Sequence, residues 1–205
     1  FGSSIKEQGL YSDSSNQQTA FACYLTKKLH QGLHHAMSLL SITSLLALLA
    51  LASAWDNEYD GFLKKECPPS DSIYEIQSIH DNHHEDRIWE WRCQPSGYEL
   101  EFCSWSGEVN QFDGPMNFEC SNGVITGVES TNNNNHEDRV WNFKCCGKAG
   151  FCYSDCSKSS AANAYDGPLS YTVDPGYFLT GADSVHSDHD EDRVWHFHTC
   201  KIVPC

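Results

Sequence analysis

One short unit recurs three times between residues 59 and 205, and a chain built that way has few folds open to it. Each copy opens on an aromatic-Asp-Gly step: Tyr59-Asp60-Gly61, Phe112-Asp113-Gly114 and Tyr165-Asp166-Gly167, at successive offsets of 53 residues. The register runs on without gaps, so that Cys67 aligns with Cys120 and with Val173. Each copy closes on Asp-Arg-x-Trp-x-aromatic: Asp86-Arg87-Ile88-Trp89-Glu90-Trp91, Asp138-Arg139-Val140-Trp141-Asn142-Phe143 and Asp192-Arg193-Val194-Trp195-His196-Phe197. An apolar-x-Ser step ending at Ser78, Ser130 and Ser184 lies between them. The closing segments alternate with period two. Trp89, Trp91 and Cys93 share one side, as do Trp141, Phe143 and Cys145, and again Trp195 and Phe197. That pattern predicts half-buried strands. Residues 123–128 and 176–180 also read as strands, and the Asp-Gly steps as turns. No segment after residue 54 carries a helical period. The expected class is all-β: three ~53-residue repeats (about 59–111, 112–164 and 165–205) in one disulfide-rich, pseudo-threefold domain, prism-like or trefoil-like. Three copies can bury a core that one could not, and closure removes exposed sheet edges.

The residues before the repeats are of another kind. The chain begins at Phe1, and its first methionine is Met37. The stretch 39–52 is 14 mostly apolar residues, short of the ~18–20 needed to span a bilayer. It ends Ala52-Ser53-Ala54, the small-x-small pattern of a signal-peptidase site. Residues 37–54 are therefore read as a secretory signal peptide. Residues 1–36 are read as a leader or untranslated-region-derived segment outside the mature protein, and 55–205 as the folded domain. Residues 55–205 retain ten of the 13 bases and 26 of the 28 acids, a formal net charge of −16. That balance argues against nucleic acid as a partner. No apolar run after residue 54 reaches membrane length. Ten of the 11 cysteines remain, an even number that reads as five bridges in an exported chain. The rival, zinc at Cys152-x3-Cys156 with His196 and His198 nearby in sequence, suits a reducing compartment better. Cys145 and Cys146 are adjacent on a strand, so they point to opposite faces and need separate partners.

Each closing strand is preceded by an acidic, histidine-bearing run: Asp81-Asn82-His83-His84-Glu85-Asp86, Asn132-Asn133-Asn134-Asn135-His136-Glu137-Asp138 and Asp188-His189-Asp190-Glu191-Asp192. His84, Glu85, His136, Glu137, His189, Asp190 and Glu191 are the candidate binding-loop residues. Clustered carboxylates and amides suit Ca²⁺, but the Gly and terminal Glu of an EF-hand loop are missing. A solvated loop is the favoured reading, with Asp86, Asp138 and Asp192 in charge-assisted contacts at its base; no metal or cofactor is expected. Neighbours on a strand point apart, so each Asp and the Arg after it look for partners elsewhere or across repeats. Gly-x-Ser-x-Gly, His-Glu-x-x-His and phosphate-loop patterns do not occur. Repeated surface loops suit multivalent binding rather than catalysis, so the chain is not expected to be an enzyme.

The threefold Asp-Arg-x-Trp-x-aromatic motif, with the pair Cys145-Cys146 and with Cys152, Cys156, Cys200 and Cys205, resembles the dermatopontin family over Tyr59 to Cys205. The resemblance implies a secreted extracellular-matrix adhesion protein contacting collagen, proteoglycan or cell-surface glycans. Invertebrate relatives add two alternatives, a lectin-like cell-agglutinating factor and an acidic biomineral matrix protein. Together with the repeat, the resemblance also implies the bridges Cys67–Cys93, Cys103–Cys145, Cys120–Cys146, Cys152–Cys205 and Cys156–Cys200. The family is rich in tyrosine, whereas seven tyrosines follow residue 54 here; Tyr59 and Tyr165 lie beside acids, as sulfation would need. Arg-Gly-Asp and Asn-x-Ser/Thr are absent, so simple integrin capture and N-glycosylation are not expected.

Overall fold

A computed structural model describes residues 55–205; the stretches read as leader and signal peptide, 1–36 and 37–54, lie outside the described residues. The described residues form strands and no helix. Three antiparallel sheets result. One runs β1 (Leu63–Glu66), β6 (Val124–Asn133), β7 (Asp138–Gly147), β4 (Phe102–Glu108). The next runs β5 (Met116–Glu119), β10 (Phe178–Ser187), β11 (Asp192–Pro204), β8 (Phe151–Lys158). The last runs β3 (Asp86–Pro95), β2 (Asp71–Asp81), β9 (Leu169–Thr172). Each sheet joins two copies, because the short strand that follows an Asp-Gly turn pairs outside its own copy. Thus β1 lies on β6, β5 on β10 and β9 on β2.

The period-two pattern explains the core. Trp89, Trp141 and Trp195, each opposite the serine of its own hairpin, meet edge to face in all three pairs, with centroids 5.0, 5.2 and 4.8 Å apart. Trp91, Phe143 and Phe197 lie two residues on and are fully buried. Leu63, Met116 and Leu169, from the three short strands, complete the same cluster. Each edge-to-face pair adds about 0.5–1.5 kcal/mol to the burial of the rings. Each long hairpin carries one irregularity, between Ile73 and Glu75, Ile125 and Gly127, and Leu179 and Gly181. A Cβ at Gly181 would lie 2.4 Å from the Phe118 carbonyl oxygen on the neighbouring strand, so that bulge requires glycine.

Five disulfides form, two between sheets and three within one, and two of the five correct the expected connectivity: Cys103 bonds to Cys146 and Cys120 to Cys145. The reason is register. Cys103 on β4 stands directly opposite Cys146 on β7. Cys145 shares its face with Trp141 and Phe143, and meets Cys120 just past β5. The bridges therefore repeat with the copies. Cys67–Cys93 and Cys120–Cys145 span 26 and 25 residues, and Cys103–Cys146 and Cys156–Cys200 span 43 and 44. Val173 and Thr199 occupy the first bridge's positions in the third copy, and Cys152–Cys205 closes the set. Peptide mapping under non-reducing conditions is expected to recover Cys103 with Cys146 and Cys120 with Cys145.

Candidate functional site

The hairpins β2–β3, β6–β7 and β10–β11 turn through residues 82–85, 134–137 and 188–191, which hold the acidic, histidine-bearing runs. The side chains at their bases brace each turn. The Asp81 carboxylate accepts the backbone N–H groups of His83 and His84, which hold its pKa below the ordinary carboxylate range. Asn133 does the same for the N–H of Asn135. The last residue of each turn, Glu85, Glu137 and Glu191, has φ of 45°, 47° and 45°, left-handed backbone that a residue with a Cβ adopts at a cost of roughly 1–2 kcal/mol.

Below the turns the opening and closing motifs clasp each other between copies. Arg139 donates from Nε and Nη2 to the two oxygens of Asp86, both at 2.6 Å. Arg193 holds Asp138 at 2.7 and 2.6 Å, and Arg87 holds Asp192 at 2.6 Å through each nitrogen. Each Nη2 also donates to the carbonyl of the Asp-Gly glycine in the partner copy: Gly61, Gly114 or Gly167. The same carboxylates accept the N–H of Asp60, Asp113 and Asp166. The second copy therefore grips the first, the third grips the second, and the first grips the third. All six charged side chains are 3–5% exposed. Each carboxylate thus accepts three hydrogen bonds, and Arg193 also donates from Nη1 to the Ser184 hydroxyl at 3.2 Å, whereas Nη1 of Arg87 and of Arg139 is buried without a partner among the described residues. The forked Arg–carboxylate contact is the geometry in which a buried ion pair is tolerated. Gly61 is needed here, since a Cβ would sit 2.9 Å from the Glu58 carbonyl oxygen.

Three further residues of this cassette escaped the sequence reading. Asn57, Asn110 and Asn163 are buried and cap the closing strands. Each donates from Nδ2 to the arginine carbonyl (Arg87, Arg139, Arg193) and accepts the N–H of Trp89, Trp141 or Trp195. They recur at the same 53-residue offset, so carrying the Asp-Gly alignment three residues toward the N-terminus would have found them.

The ring closes over a pit lined by Glu85, Glu137 and Glu191 together with the three Asp–Arg pairs and Trp89, Trp141 and Trp195. It holds about 20 Å³, the volume of one water-sized group, so no organic ligand enters it. The structure thus brings the nine motif residues and three of the seven candidate loop residues to one place. The other four lie outside the pit. His84 stacks on Tyr59 at 4.8 Å and its Nδ1 lies 3.4 Å from Asp60, while His136 stacks on Phe112 at 4.9 Å and lies 2.8 Å from Asp113. Asp190 accepts the Ser187 hydroxyl instead, and His189 is exposed.

Two junctions between copies gather one histidine and two aspartates, His80 with Asp166 and Asp192, and His186 with Asp113 and Asp138. In both, the inner aspartate is already held by an arginine fork, and that guanidinium opposes a cation. The electrostatics of the pit are acidic. Burial, joined by the charges of Glu137, Asp188 and Asp113 and only partly offset by His186, raises the Glu191 carboxyl above its ordinary 4.5. A raised acid binds its proton more tightly in the folded state. Its penalty is therefore absent at low pH and complete once pH has risen through the folded value. Glu191→Gln is expected to raise Tm at pH 7 and to leave it unchanged below about pH 4, where the carboxyl is protonated in both states; thermal melts at the two pH values check this.

Comparison with known proteins agrees with the cassette. The family described as Dermatopontin matches residues 57–205. The hemagglutinin/amebocyte aggregation factor of Limulus polyphemus is 39% identical over 164 residues, covering 78% of this chain and 95% of that protein. Millepora cytotoxin-1 of Millepora dichotoma is 38% identical over 145 residues, 70% of this chain and 65% of that protein. A dermatopontin of Biomphalaria glabrata is 36% identical over 137 residues, 66% of this chain and 92% of that protein. No solved structure matches the chain.

Proposed function

The chain belongs to the dermatopontin family, and from that footing we propose that it is a secreted, non-enzymatic matrix and cell-adhesion protein acting through its three acidic turns. Five disulfides suit an oxidising compartment, which supports reading 37–54 as an export signal and 55–205 as the mature domain. The 53-residue offsets and the cyclic Arg–Asp clasp support a pseudo-threefold arrangement of the repeats.

The observation that carries the function is the gathering of Glu85, Glu137 and Glu191 around one pit. The arginines below neutralise the three aspartates, so these three carboxylates, of which Glu191 has the His186 ring at 3.7 Å, form an acidic patch on a rigid base. Several similar weak contacts presented together gain by multivalency. The patch suits a basic protein surface, such as lysine- and arginine-bearing collagen, better than a sulfated polysaccharide. The triple variant Glu85→Gln, Glu137→Gln, Glu191→Gln should bind immobilised fibrillar collagen at least tenfold more weakly and lose the salt dependence of binding. Unchanged binding by a correctly folded variant would overturn the reading.

A second reading is favoured by one finding: the relative 39% identical to this chain is named a hemagglutinin and amebocyte aggregation factor. In that reading the protein cross-links cells through glycans, and agglutination would be inhibited by free sugars. A biomineral matrix role follows from the net acidity alone and would appear as calcium-dependent adsorption to carbonate crystals.

A further inference from the structure

Two of the three sheets have four strands and the third has three. The outer strands β4 and β8 lie on β7 and β11 and are bridged to them by Cys103–Cys146 and Cys156–Cys200. In each case a threonine hydroxyl from the preceding strand, Thr126 or Thr180, lies beside the bridge at 3.0 or 3.6 Å from sulfur. Along β2–β3 the corresponding residues are Tyr74, in place of the threonine, and Gln94, in place of the cysteine. Where the other sheets carry a covalently fixed outer strand, this one opens into a shallow cleft of about 580 Å³.

The lining of that cleft is specific. Tyr74, Gln94, Tyr98, Thr172, Tyr177 and Phe178 are among its lining residues, none of which carries a charge, although a fifth of the chain is charged. The aromatic rings are held before any ligand arrives. Tyr177 donates its hydroxyl to Asp155 at 2.5 Å, with the Lys201 ammonium 5.0 Å from the ring centre. Tyr98 packs between Phe151 and Phe178, at 5.1 and 5.8 Å. Fixed aromatic faces lose little entropy on binding.

We propose that this cleft is a second binding site, for a neutral saccharide. A pyranose has an apolar C–H face and a rim of hydroxyls. The faces of the tyrosines and Phe178 meet the first, and the Gln94 amide and the Thr172 and Tyr74 hydroxyls meet the second. An uncharged lining in an acidic protein selects a neutral sugar over a sulfated one: the Lys201 ammonium beside Tyr177 is already paired with Asp155 at 2.7 Å, so it does not offset the surrounding negative potential. The volume is that of an ordinary ligand cleft, within about 300–1,000 Å³.

The cleft stands at the end of the β2–β3 hairpin away from the acidic turns. Tyr74 and Gln94 are seven and eight residues along their strands from Asp81 and Asp86, roughly 25 Å at about 3.3 Å per residue. One rigid chain therefore has a face at each end and can bridge two partners without oligomerising. The cleft does not depend on the acidic turns, so either site can fail alone.

Saturation-transfer NMR and intrinsic fluorescence on the oxidised full chain test this, with chitotriose, lactose and mannotriose as neutral probes and a chondroitin sulfate hexasaccharide as the charged one. At least one neutral probe should saturate. Tyr74→Ala and Gln94→Leu should each weaken it at least tenfold, while the triple glutamate variant binds it as the parent does. Gln94→Leu keeps the volume of a half-buried position, and near-UV circular dichroism reports that each variant is folded. The proposal is overturned if no neutral probe saturates, if binding survives both substitutions, or if the sulfated hexasaccharide alone binds. It is also overturned if the cleft is covered by a second copy, seen as a concentration-dependent dimer that Tyr74→Ala dissolves.

Discussion

Arg139→Ala is expected to remove about 3–5 kcal/mol of stability, a large share of the roughly 5–15 kcal/mol that a domain commonly has. The effect comes less from the lost attraction than from what remains. Asp86 is 5% exposed, and without the guanidinium it is an uncompensated buried charge. The Gly61 carbonyl loses its donor in the same step, and the clasp between the first and second copies opens at its base. Urea denaturation with the disulfides intact measures the change, and a thermal scan should fall by roughly 2–4 °C per kcal/mol. Arg139→Lys keeps the charge but not the fork and should lie between the two. In a double-mutant cycle, removing Asp86 and Arg139 together should cost clearly less than the sum of the single losses. Additive losses would mean that the clasp is not a coupled pair.

Replacing Trp141 with alanine should cost a similar amount, about 3–5 kcal/mol, through the cavity left by a large buried ring. The ring is 1% exposed and meets Trp89 at 5.0 Å, Trp195 at 4.8 Å and Phe143 at 6.4 Å. Its loss removes two of the three edge-to-face contacts at once. Trp105 is the control. It is half-buried on the outer strand β4, between the ammonium groups of Lys64 and Lys144 at 5.5 and 6.0 Å, so its substitution should cost about 1 kcal/mol or less. Equal losses at the two sites in equilibrium unfolding would show that the tryptophan cluster is not the centre of the core.

Much of the fold was legible because it is local and repeated. Trp89, Trp141 and Trp195 announce their strands by alternating with polar neighbours, and the Asp-Gly steps announce turns. The cysteine connectivity was misread at Cys145 and Cys146 although the repeat held the answer. Cys145 aligns with Cys93, and so belongs with Cys120 as Cys93 belongs with Cys67. Asn57, Asn110 and Asn163 were equally visible by offset, but asparagine carries no pattern of its own in a strand reading. Of the candidate loop residues, Glu85, Glu137 and Glu191 came together only because the three hairpins end around one pit. Tyr74 and Gln94 passed unnoticed because each is ordinary alone; they mean something only beside the bridge that the other copies have.

Alternation of side chains is a property of neighbours along the chain, so strand identity, the inward face and the threefold recurrence of the unit follow from the residues alone. Which copy's aspartate an arginine grips, and whether a sheet gains its outer strand, depend on contacts between residues such as Arg87 and Asp192, 105 positions apart. No local preference encodes a contact of that range. It is settled when strands of all three sheets pack on one core, and that packing positions both the acidic turns and the open cleft.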